Sequence, residues 1–169
     1  MKRIGLLSDT HGMLHPRIFE YFNTCDEIWH AGDIGSPVLL DELENFKPTR
    51  AVFGNIDGYD IRLRTSKILR FECENIDVML THIGGYPGKY APEVRMELYT
   101  HPPKLFVCGH SHILKVKFDP RLQMLCLNPG AAGRYGSQTV STIMRFEIDG
   151  SKIDNLEVIE LRDWLPTKS

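Results

Sequence analysis

The sequence has no excess of positive charge: 20 Lys and Arg against 22 Asp and Glu give a formal net charge of −2 at pH 7. Proteins that wrap nucleic acid normally present a basic face, so no extended nucleic-acid partner is expected, although a small nucleotide is not excluded. Long apolar runs are also missing. The longest fall well short of the roughly 20 residues needed to cross a bilayer, so no membrane partner is expected. The N-terminus enters a strand almost at once, without a charged leader, an apolar h-region and a small-residue cleavage site, and the chain is read as cytoplasmic. Cysteine is sparse: Cys25, Cys73, Cys108 and Cys126 form neither a C-x-x-C pair nor a short secreted frame. They read as small buried apolar groups, none catalytic. No repeat, low-complexity tract or linker interrupts the 169 residues, which are read as one domain over 1–169.

What the sequence does have is a recurring ending. Five short apolar runs finish in side chains that bind divalent cations through oxygen or nitrogen. They are Ile4 to His11 with Asp9, Glu27 to Asp33, Arg50 to Asp57 with Asn55, Val78 to His82, and Leu105 to His112 with His110. In an extended segment residues i and i+2 project to the same side, so Asp9 with His11, and His110 with His112, are expected to act as pairs. Gly32, Gly54 and Gly109 precede three of the endings, where a missing Cβ permits close approach and a sharp turn.

Between the runs the pattern is helical. A helix is expected over 16–25, with Ile18, Phe19 and Phe22 on one stripe, and another from Pro37 through Phe46, capped by Ser36 and stopped by Pro48. A third is expected from Pro92 to Tyr99. Strand–helix–strand alternation implies right-handed crossovers and a largely parallel inner sheet. The second half reads as two hairpins, 116–119 with 122–127 and 139–148 with 152–161, the latter closed by Asp149-Gly150. The expected fold is α/β, a four-layer α/β/β/α sandwich of two mixed sheets, with a metal site at the carboxyl ends of the inner strands. The tail Asp163-Trp164-Leu165-Pro166 is read as docked or frayed.

Taken in order, Asp9-x-His11, Gly32-Asp33, Gly54-Asn55-x-Asp57, His82 and Gly109-His110-Ser111-His112 resemble the five motifs of the calcineurin-like metallophosphoesterases. The compact size and the Asn-x-Asp form most resemble the small bacterial and archaeal phosphodiesterase branch. The resemblance implies one metal held by Asp9, His11 and His112, a second by Asn55, His82 and His110, and Asp33 bridging both. It also implies two divalent ions about 3.5–4 Å apart sharing the hydroxide that attacks phosphorus. Mn²⁺ is the first expectation, with Fe²⁺, Ni²⁺, Co²⁺ and Zn²⁺ as alternatives. Asp33, Asn55 and His82 would be catalytic, with Asn55 also contacting substrate; Arg134, in the glycine-rich segment after Asn128, is read apart from the resemblance as a candidate phosphate clamp.

The sequence departs from the wider superfamily at one position. Where many members carry a histidine after the motif Asn, assigned a leaving-group or transition-state role, this chain has Ile56. Isoleucine donates no proton, so Asp57 has no such donor to orient. General acid help is typically worth ~10²–10⁴-fold, and its loss predicts modest turnover on poor leaving groups. His30 is read as structural or as orienting a ligand, His15 and His101 as solvated, Gly84 to Gly88 as a mobile loop, lid or connector, and Asn128 as a cap for backbone groups. The expected function is a dinuclear phosphodiesterase acting on a small phosphodiester, with a nucleotide as one candidate. The alternatives are a non-catalytic scaffold, as this fold serves in the retromer complex, and a phosphomonoesterase. Oligomeric state is left open.

Overall fold

The structure is a computed structural model that describes residues 1–162 and 164; Asp163, Leu165 and Pro166 of the tail lie outside the described residues. The first apolar run forms strand β1 (Lys2–Leu7), with Ile4 and Leu6 on one face and Leu7 on the other. Helix α1 (Ile18–Tyr21) and strand β2 (Glu27–His30) follow. Helix α1 is much shorter than the expected 16–25, because after Phe22 the chain closes in tight turns, Asn23 N–H to the Glu20 carbonyl and Cys25 N–H to that of Phe22. Helix α2 (Pro37–Phe46) starts as its sequence dictates: Ser36 accepts the Val38 N–H at 3.2 Å, and Pro37 occupies the first helical position.

Strand β3 (Thr49–Ala51) is followed by helix α3 (Tyr59–Arg64) and strand β4 (Ile68–Cys73), two elements that the hydrophobic pattern does not announce. Then come β5 (Ile76–Thr81), the miniature hairpin β6 (Gly85–Tyr86) and β7 (Lys89–Tyr90), α4 (Pro92–Thr100) and β8 (Leu105–Val107). The described elements end with β9 (Lys115–Asp119), β10 (Met124–Asn128), β11 (Thr142–Asp149) and β12 (Lys152–Glu160).

The strands form two mixed five-stranded sheets, ordered β12-β11-β1-β2-β3 and β4-β5-β8-β10-β9. The expectation of one largely parallel inner sheet needs correction. Parallel pairing is divided, β1-β2-β3 in the first sheet and β5-β8-β10 in the second, and each hairpin expected in the second half extends a different sheet. Three apolar layers result, because alternate residues of each buried strand face opposite ways. Leu6, Trp29, Val78, Leu80, Leu105, Val107 and Phe146 meet between the sheets. Leu7 and Ile28 pack outward under Ile18, Leu40 and Leu43 of α1 and α2, while Met79 and Phe106 pack outward under Val94 and Leu98 of α4. The order is therefore helix, sheet, sheet, helix.

All four cysteines are buried free thiols within these layers. Burial pushes Cys25 and Cys73 up to about 11 and Cys108 up to about 12, which leaves them protonated and poor nucleophiles.

Candidate metal centre

The carboxyl ends of β1, β2, β3, β5 and β8 lead directly into Asp9 and His11, Asp33, Asn55, His82, and His110 with His112. These side chains meet. Asp9, His11 and His112 form one group, and Asp33, His82 and His110 another, with the donor atoms in each within 4.8 Å of one another. Each group takes side chains from loops of both sheets. Asn55 joins the second through Oδ1, 3.1 Å from His82 Nε2. Asp33 Oδ2 lies 3.2 Å from His82 Nε2 and 3.7 Å from His11 Nε2, so it faces both groups.

The pairing of neighbouring ligands has a different origin from the extended geometry expected. Asp9, His11, Asp33, His110 and His112 all adopt left-handed backbone, with φ of 55°, 49°, 55°, 69° and 62°. Such conformations cost of order 1–2 kcal/mol each for residues other than glycine, and persist only where surrounding structure enforces them. Here the loops after β1 and β2 hold one another: the Asp9, His11 and Gly12 N–H groups donate to the carbonyls of Gly32, Asp33 and Ile34 at 2.9, 3.0 and 2.8 Å. Gly32, at φ 98°, and Gly54 sit where an added Cβ would strike the His82 ring and the Asp33 carboxylate.

Each carboxylate commits one oxygen to the protein and turns the other inward. Asp9 Oδ2 accepts the Ser8 hydroxyl at 2.5 Å and the His110 N–H at 3.1 Å, while Oδ1 lies 3.1 Å from His112 Nε2. Asp33 Oδ1 accepts the Ile56 N–H at 3.1 Å. The imidazoles are fixed from behind. His82 Nδ1 lies 2.7 Å from the Ala31 carbonyl, which can only accept, so Nδ1 carries hydrogen and Nε2 faces the centre. His112 Nδ1 lies 3.0 Å from Gln138 Oε1, whose amide nitrogen donates to the Tyr135 carbonyl at 2.7 Å.

With Nδ1 as the donor, neutral His82 would aim a lone pair at two further acceptors, Asp33 Oδ2 and Asn55 Oδ1. Positive charge reconciles that set, either a proton on Nε2 or a cation. The titration follows: burial lowers the His82 pKa, but the bond to Asp33 and the charges of Asp9 and Asp33 outweigh it and raise it. The bond to Asp9 likewise raises His112 against its burial. Asp33 is driven up by burial, yet its bond to His82, the His82 charge and the Ile56 N–H leave it below the usual carboxylate range. His11 Nε2 is buried and accepts no hydrogen bond among the described residues. Two carboxylates only 0% and 3% exposed, inward-facing imidazole nitrogens and one orphaned nitrogen fit a divalent cation of N/O preference.

Several supporting roles have no marker in the sequence. Buried Asp57 accepts the N–H groups of Gly54 and Ile34 on Oδ2, at 2.8 and 3.1 Å, and that of Gly35 on Oδ1 at 2.8 Å. It thereby shapes both loops around Asp33, a task independent of any donor at position 56. The Ile56 side chain itself is about half exposed. Gln138, 26 residues beyond His112, and the Ala31 carbonyl carry no signal in the sequence. His30 is structural: burial lowers its pKa to about 4, Nδ1 accepts the Gly32 N–H at 3.1 Å, and Nε2 lies 3.0 Å from the Thr10 hydroxyl. Asn128 caps as expected, accepting the Gly130 N–H and donating to the Gly109 carbonyl. His101 is exposed, but His15 is not solvated as expected; it is buried and packs against Trp164, with ring centroids 5.2 Å apart. The Arg134 guanidinium lies over the same indole, 5.3 Å from its centroid.

Residues 1–151 match the family described as the calcineurin-like phosphoesterase superfamily domain. A probable metallophosphoesterase of Methanothermobacter thermautotrophicus is 34% identical over 158 residues, 89% of this chain and 88% of that protein. Among solved structures, an archaeal phosphodiesterase superposes with a TM-score of 0.71 at 22% identity, covering 94% of this chain and 99% of its own. Vps29 of Entamoeba histolytica in complex with Zn²⁺ superposes at 0.72 with 18% identity, covering 94% and 98%. The sandwich and the ordered motifs converge with these likenesses: the chain belongs to the calcineurin-like phosphoesterase superfamily.

Proposed function

We propose that this protein is a dinuclear metal-dependent phosphodiesterase acting on a small phosphodiester, with a nucleotide as one candidate, in the cytoplasm. The observation that carries the reading is the Asp33 carboxylate, buried between two imidazole groups and facing both. In this reading Asp9, His11 and His112 hold one ion, Asn55, His82 and His110 hold the other, and Asp33 serves both. Two such ions supply neutralisation of the phosphate oxygens and a water acidic enough to attack near neutral pH, and Mn²⁺ is the first candidate.

The protein's own residues do the remaining work. The Ala31 carbonyl and Gln138 hold the His82 and His112 rings with Nε2 inward, and outer partners of this kind typically tune affinity ~10–100-fold. Asn55 is exposed and turns Oδ1 to His82, which leaves its Nδ2 to donate to a phosphate oxygen. Ile56 offers no proton to the leaving group, which favours esters of acidic alcohols. The likeness to an archaeal phosphodiesterase supports the diester preference. A non-catalytic scaffold is the second reading, favoured by Ile56 and by the likeness to Vps29. Phosphomonoester hydrolysis is the third. Assay of a chromogenic phosphodiester and its matching monoester, with Mn²⁺ and with chelator, separates them. The diester should turn over faster and chelator should abolish both rates. Chelator-insensitive turnover defeats the metal mechanism, a preference for the monoester selects the third reading, and no turnover by metal-loaded protein selects the scaffold.

A further inference from the structure

Two cavities border the second donor group. One, of about 250 Å³, is the more polar of the two and is lined by Asn55 and His82 together with Arg62, Lys67 and Glu93. The other, of about 240 Å³, includes His110 and is otherwise mostly apolar, with Ile83, Tyr86, Phe106, Cys108 and Ile113 in its walls. Ile83 lines both, and each includes a residue of the second donor group. Each is smaller than the ~300–1,000 Å³ typical of a pocket that takes a whole drug-sized ligand, and suits one substituent instead.

We propose that the apolar cavity is a subsite for an aromatic substituent of the phosphate ester, an inference that rests on the phosphoesterase reading and names which ester it takes. The phosphoryl group lies at the donor atoms, and the cavity begins at one of them, His110. Among the described residues no carboxylate lines it and Lys115 is its one formal cation, standing over the Tyr86 ring at 4.4 Å from the centroid, so an anionic ester meets no repulsion from them. Tyr86 is half exposed and Phe106 is buried, and two aromatic walls favour an aromatic guest beyond the area it buries. Tyr86 is also held in place. The segment expected as a mobile loop is the β6–β7 hairpin, with the Ala91 N–H donating to the Gly84 carbonyl at 2.9 Å and left-handed Gly85 packed against the backbone of Lys89 and Tyr90. The polar cavity would take the other arm, which is a reason for a diester to fit better than a monoester.

Phenylphosphonate and methylphosphonate share a head group, carry no hydrolysable ester and differ only in the arm, so their binding tests the subsite apart from turnover. Isothermal titration of Mn²⁺-loaded protein should give phenylphosphonate at least ~10-fold the affinity of methylphosphonate, within the range a hydrophobic pocket provides. Tyr86→Ala should shrink that ratio several-fold with metal content and methylphosphonate affinity unchanged, and Ile113→Glu should shrink it further by placing a carboxylate at the mouth. Equal affinities in the parent protein, no binding of either phosphonate, or a ratio that survives both substitutions overturns the subsite. Phosphonate discrimination without turnover of any ester would retain the subsite and sink the enzyme reading alone.

Discussion

The loops that carry the metal-binding side chains and the turns that shape the hairpins use the same left-handed backbone to different ends. Glu74 lies between β4 and β5, Gln123 just before β10, and Asn155 inside β12, with φ of 52°, 52° and 53°, and all three residues are exposed. Glycine could replace any of them and relax the chain at the loss of one surface bond, such as that from Gln123 Nε2 to the Pro120 carbonyl at 2.7 Å. At Asp9, His11, Asp33, His110 and His112 glycine would relax the chain equally, but it would delete the donor atom. Strain in the hairpins is incidental to sequence, whereas in the loops it is the means by which carboxylates and imidazoles turn inward. The loops are also cross-braced, by the hydrogen bonds from the Asp9–Gly12 segment to the Gly32–Ile34 segment and by Asp57.

The sharpest way to break the contrast is Asp33→Asn. The fold should survive, since the Ile56 N–H can still find the amide oxygen, but at least one metal equivalent should be lost. The rate should fall by more than the ~10–100-fold typical of outer partners. Metal analysis with a diester assay checks this, and an unchanged metal content and rate would remove Asp33 from the centre. Asp57→Ala attacks the bracing instead. It strands three backbone N–H groups in a buried setting and should cost roughly 3 kcal/mol in a denaturant titration, with weakened metal affinity. A neutral result would mean that the loops hold their shape unaided. Gln123→Gly is the hairpin control and has the smallest expected effect. Stability should move by less than about 1 kcal/mol, toward stabilisation, with turnover unchanged. A lower rate in that variant would show that hairpin and loops are not independent.

Much of the centre is legible in the amino-acid sequence, because seven chemically distinctive side chains each follow an apolar run and their order is specific. The fold class is legible for a similar reason: Asp149-Gly150, Ser36-Pro37 and the alternation of runs with helices each point to one local geometry. Strand order is not, since the apolar runs of β1 and β5 look alike although they belong to different sheets. Helix α3 buries only Ile61 fully, which leaves no stripe to detect, and β4 is half buried along most of its length. The left-handed ligand loops are silent for another reason: the usual marker of such backbone is glycine, and here the positions are held by Asp and His. Gln138 sits in a Gly- and Ser-rich segment whose role emerges only once His112 is placed beside it.

The two donor groups each recruit partners from opposite halves of the sandwich: Asp9 and His11 with His112, and Asp33 with His82 and His110. Ions seated there would rivet one sheet to the other at that rim. Occupancy and heat resistance then become a single quantity seen twice, since a ligand held only by the folded chain at a hundred times its dissociation constant adds about 2.7 kcal/mol. A melting curve followed against cation concentration would therefore read the centre's affinity without any substrate at all.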